Sequence, residues 1–95
     1  MSNTISATYT DDGQKDIIRL PIKQDGDVLF SVKAGSSDVV SVEVQIAPDA
    51  QRVGVPSYKS ISGDFIGRIP ANCAGIGLNI TTNTSEEIIF DISAK

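Results

Sequence analysis

Between Val39 and Ala47 the chain reads V-V-S-V-E-V-Q-I-A, and no other stretch limits the fold so tightly. Val40, Val42, Val44 and Ile46 hold the even positions, with Ser41, Glu43 and Gln45 between them. Side chains on a β-strand alternate between two faces, so this is a strand with one apolar and one polar side. A helix would scatter the same four residues around its axis, and β-branched side chains favour the extended state. An apolar strand face must be covered by a second layer. The rest of the 95 residues has to supply it.

The same rhythm recurs along the chain. Val28, Phe30 and Val32 alternate with polar or exposed positions, as do Ile76, Leu78 and Ile80, and then Ile88, Phe90 and Ile92. Within Ile17–Lys23, Ile18, Leu20 and Ile22 point one way. Pro21 lies on the other face, as on an edge strand or a bulge. Ser2–Thr10 alternates weakly through Ile5, Ala7 and Tyr9 and is either a first edge strand or a loose arm. Asp11–Gln14, Ala34–Asp38 and Pro48–Gln51 read as turns. Asp25-Gly26 predicts a tight hairpin into Val28–Lys33, and a second hairpin would lead into the valine strand, giving an antiparallel meander. Thr82–Ser85 predicts a last hairpin. Tyr58, Ile61, Phe65 and Ile69 carry a helix-like spacing, but Gly63, Gly67 and Pro70 oppose a helix and leave short strands and turns. The expectation is one all-β domain over 1–95, an antiparallel two-layer β-sandwich, immunoglobulin-like or jelly-roll-like, with about seven or eight short strands.

Composition narrows the chemistry. Twelve acids against eight bases argue against a nucleic-acid partner, which needs basic patches. The chain has no histidine and one cysteine, Cys73, so zinc, an internal disulfide and a His-assisted thiol nucleophile are not expected. Asp25-Gly26-Asp27 begins like a calcium loop but lacks the downstream acidic ligands, so turn formation explains it. No catalytic, cofactor-binding or metal residue is expected. Lys33 with Asn79 or Asn83 has the residue types of an internal isopeptide link and nothing more. Met1–Tyr9 has neither a basic head nor an apolar run, and no stretch reaches the ~20 apolar residues of a span, so no signal peptide and no membrane partner are expected.

With the inward faces assigned this way, Ile17, Leu29 and Ile89 must point outward, as they would at a protein contact. The other readings are that an edge or the N-terminal arm covers them, or that the face assignment slips by one residue. Tyr9 and Tyr58 are either contact anchors or ordinary half-buried tyrosines.

The order of features from Val39 to Lys95 is the valine strand, the Asp-containing turn at Pro48–Gln51, G-R-I-P-A, G-I-G-L-N-I-T-T-N-T and E-I-I-F-D-I-S. It resembles small immunoglobulin-like β-sandwich virion proteins of tailed bacteriophages. The chain departs from that pattern after the long strand, where Arg52 and Val53 stand and no Trp follows. The resemblance implies a non-enzymatic capsid decoration (cement) protein, made in the host cytoplasm and carried on the virion surface. It would bind the major capsid protein and form a homo-oligomer, a trimer by preference. The alternative is a virion-borne recognition module for a host glycan or receptor.

Overall fold

The computed structural model describes residues 3–20, 26–47, 49–69, 73–84 and 87–94. Ten short strands and one 3₁₀ turn occur there, and all strand pairing is antiparallel. The strands are β1 Asn3–Tyr9, β2 Gly13–Gln14, β3 Ile18–Arg19, β4 Val28–Lys33, β5 Val39–Gln45, β6 Val53–Gly54, β7 Ile61–Ser62, β8 Phe65–Ile69, β9 Gly75–Thr82 and β10 Ile88–Ala94. One sheet, A, has the order β1-β10-β4-β8. The other, B, runs β2-β9-β5-β6, with β3 also on β9 and β7 also on β5.

Two of the short strand pairs are single interrupted strands. Leu78 O accepts from Lys15 N at 2.8 Å between the β2 and β3 pairings with β9. Gln14 to Ile18 advances four residues while Asn79 to Ile76 advances three, the count of a β-bulge. On the opposite edge, β6 and β7 lie along β5 and are parted by the 3₁₀ turn Pro56–Tyr58. Merging these pairs leaves two four-stranded sheets. Numbered as eight strands, their orders are 1-8-3-6 and 2-7-4-5, the jelly-roll arrangement. The immunoglobulin alternative, with its first two strands side by side in one sheet, does not describe the chain.

The meander is therefore a correction. β3 is in sheet B and β4 in sheet A, β4 and β5 are in different sheets, and so are β9 and β10. Alternation fixes which face is buried but not which strand is the neighbour. Among the described residues only the turn after β5 closes a hairpin, where Ala50 N donates to Ala47 O at 3.0 Å and β6 pairs with β5. Pro21, Ile22 and the 24–25 part of the Asp-Gly turn fall outside the described residues, as do Pro48, Pro70 and Ser85. Within Ser2–Thr10, Asn3–Tyr9 is an edge strand paired with β10 along its whole length, and Ser2 falls outside the described residues.

Between the sheets lies an aliphatic core. Val28, Phe30, Val32, Ile88, Phe90 and Ile92 enter it from sheet A. Val40, Val42, Ile76, Leu78 and Ile80 meet them from sheet B, all at 2% exposure or less. Phe30 is the hub of the ring packing, edge-on to Tyr58, Phe65 and Phe90 with centroids 5.0, 6.0 and 5.9 Å away. Ile46 does not follow its parity. The strand ends at Gln45, the chain turns, and Ile46 is 65% exposed.

Asp38 is fully buried. Its carboxylate accepts from Gly35 N at 2.8 Å and from Thr84 N and Thr84 Oγ1, at 2.5 and 2.9 Å. It thereby ties the β4–β5 loop to the end of β9. A carboxylate taken out of water needs such partners.

Candidate docking surfaces

Each sheet has an outer face, and the two differ. On sheet A the period of two sends Leu29, Ser31 and Lys33 of β4 outward, with Ile66 and Arg68 of β8 and Ile89, Asp91 and Ser93 of β10. Ser31 lies opposite both Ile66 and Asp91, and Leu29 lies opposite Arg68 and Ser93. Leu29 and Ile66 are thus diagonal neighbours, within reach of each other across the pair. Leu29 is 48% exposed and Ile66 81%. A shallow depression of about 220 Å³ lies between them, bounded by Thr4, Ser31, Asp91 and Ser93. Next to it Arg68, opposite Leu29, pairs with Asp27 at 3.4 Å, both partly solvated, a contact of little energetic weight. Asp27, part of the supposed calcium turn, is spent there.

The outer face of sheet B is covered. Ile17 leans across β9: a Cβ on Gly75 would overlap its side chain and stand 3.0 Å from Ile18 O. Over the same face runs Arg52. It donates to Lys15 O and, at 3.3 Å, to Leu78 O, and pairs with Glu43 at 2.7 Å. Gln14 Nε2 donates to the same Glu43 oxygen at 3.1 Å. One guanidinium therefore links the β2–β3 segment, β9 and β5. Beside it a depression of about 330 Å³ is bordered by Ser41, Glu43, Asn79, Lys59 and the Val55-Pro56 segment.

The residues singled out from the sequence are scattered. Leu29 and Ile89 share the outer face of sheet A, Ile89 half-buried between Thr8 and Lys33. Ile17 belongs to sheet B and is half-buried against its glycines. Tyr9 packs against the core edge with Lys15 Nζ 5.8 Å from its ring centroid, and burial raises its pKa. Tyr58 stacks on Phe65, and its hydroxyl accepts from Arg68 N at 3.1 Å and donates to Arg68 O at 3.3 Å. That hydroxyl is held by the molecule itself. Ile66 escaped the sequence reading because it lies in the irregular middle. The signal was there, since inward Phe65 and Ile69 have the opposite parity.

Cys73 is buried, and burial pushes its thiol pKa up, away from the reactive thiolate. Among the described residues no group of three or more His, Cys, Asp or Glu could hold a metal ion. Lys33 and Asn79 stand on the outer faces of opposite sheets, so no isopeptide link can join them.

No family model matches the chain, and no curated protein does. Among solved structures it is similar to a subunit of the disulfide-linked pili of Bacillus endospore appendages. That match covers 100% of this chain and 87% of the other, at 14% identity and a TM-score of 0.51. Likeness at that level is one of fold.

Proposed function

We propose that this chain is a non-catalytic structural protein that docks a sheet face onto a larger protein assembly, namely the outer surface of a tailed-phage head. The observation that supports the reading is the exposed Leu29–Ile66 pair on the outer face of sheet A. Adjacent aliphatics on an otherwise polar sheet face favour burial against a partner. The head as partner is suggested by the resemblance of the 39–95 run, and jelly rolls serve in capsids among many other uses. On such a lattice many weak copies add up by multivalency. Linkage through disulfides, as in the endospore pili, gains nothing from Cys73, which is 6% exposed.

The test is to add purified chain to phage heads that lack their decoration protein. Saturable binding and a higher head melting temperature are expected. Leu29→Asp with Ile66→Asp should abolish both while the free protein stays folded. Absence of binding at any stoichiometry contradicts the reading. The second reading, a recognition module, is favoured by the sheet B depression, which Ser41, Glu43 and Asn79 line beside Val55 and Pro56. Specific hits on a glycan array, lost in Asn79→Ala, would support it over docking.

A further inference from the structure

A sheet edge presents unpaired N–H and C=O groups, and proteins guard edges with charge, proline, bulges or brevity. Three of the four edges here are guarded. On sheet B, β2 and β3 are two residues each and parted by a bulge, and β6 and β7 are two residues each and parted by Pro56 and its turn. On sheet A, β8 is five residues long, and the Tyr58 hydroxyl occupies both backbone groups of Arg68. That tyrosine is seated by Gly67, where a Cβ would stand 2.6 Å from the Tyr58 and Phe30 rings.

The fourth edge is different. β1, N-T-I-S-A-T-Y, is seven residues with no charge, proline or glycine. It pairs from Asn3↔Ala94 to Tyr9↔Ile88 on one side, and no described strand pairs with it on the other.

We infer that β1 pairs with β1 of a second copy of this chain, antiparallel about a two-fold axis at Ser6, so that two A sheets become one of eight strands. In that register Thr4 faces Thr8 of the second copy, Ile5 faces Ala7, and all seven residues pair. Every opposed pair is neutral, which matters in a chain of net charge −4. A charged peptide would find no counter-charge on this strand. Opposed residues share a face, so Ile5 and Ala7 stay inward in both copies while Thr4, Ser6 and Thr8 stay outward. Ser6 is already turned outward by donating to Asp91. The contact is isologous and stops at two, because β8 cannot serve as a complementary edge for a growing chain. The two Leu29–Ile66 patches then lie on one side of a single sheet. The pairing stands whether or not the docking proposal does.

The test is the sedimentation mass of the full chain. Wild type should sediment at twice 10.0 kDa. Thr4→Lys with Thr8→Lys sets lysine against lysine at two exposed positions and should weaken dimerisation by roughly 100-fold or more. Thr4→Glu with Thr8→Glu should do the same, and an equal mixture of the two variants should restore the dimer. Amide exchange in wild type should slow across Asn3–Tyr9 as concentration rises, a readout that needs no variant. A wild-type monomer, a trimer, or a dimer insensitive to the lysines with no protection of β1 would overturn the inference. Head binding by a monomer removes only this proposal, and a β1 dimer that ignores heads removes only the docking one.

Discussion

The outer faces of the two sheets are built from the same period-two pattern yet end in opposite states. Sheet B lays Ile17 and Arg52 over its own β9, with Glu43 holding the guanidinium, and leaves open the depression beside Val55 and Pro56. Sheet A leaves Leu29 and Ile66 in water with no covering segment among the described residues. The difference traces to the edges. On sheet B, Ile17 in the bulge between β2 and β3 and Arg52 just before β6 lie back across the face, while no described segment beside β1 or β8 does the same on sheet A. One face belongs to the fold, and the other is spare.

Substitutions in the core and on the two faces test that difference. The largest effect is expected inside, where both sheets are equal. Val42→Asp buries a charge without a partner at a fully buried site and should prevent folding, visible as loss of the cooperative melt. Next comes the closed face. Gly75→Val must displace Ile17 or the Ile18 carbonyl and should cost about 1–3 kcal/mol in chemical denaturation. Arg52→Met leaves Glu43 and the Lys15 carbonyl short of donors and should cost about 2 kcal/mol. An unchanged midpoint for both variants would break the contrast.

Tyr58→Phe should cost about 1 kcal/mol through the lost bonds to Arg68. Because it also unguards β8, light scattering should show new concentration-dependent assembly. The smallest effect concerns Asp11, whose carboxyl Lys15 holds below the ordinary range by a hydrogen bond and its charge. A carboxyl depressed in the folded state stabilises above its unfolded pKa, and that contribution fades as pH falls through the folded value. Asp11 is fully exposed, so Asp11→Asn should leave the neutral-pH melt unchanged and alter only its acid limb slightly.

What could be read from the sequence was local. Alternation in β4, β5, β9 and β10 identified the buried residues because a strand's faces follow from parity alone. Pairing depended on contacts far apart in the chain, such as Asn3 with Ala94, for which no local signal exists. The Asp25-Gly26 pair suggested a hairpin, but its flanking strands belong to different layers. Asp38 looked like a turn residue, and nothing in its neighbourhood announces Thr84 as its partner. The open face was half legible: Leu29 and Ile89 stood out by parity, Ile66 was hidden by the glycines around it, and Ile17 was counted with them although its glycine seat on β9 covers it.

The most direct test compares equilibrium unfolding of Leu29→Ser with Ile66→Ser against Arg52→Met. The spare face predicts that the double variant shifts stability by less than about 0.5 kcal/mol, while the single change on sheet B loses several times more. A double variant as damaged as Arg52→Met would show that Leu29 and Ile66 hold the fold together and are not spare.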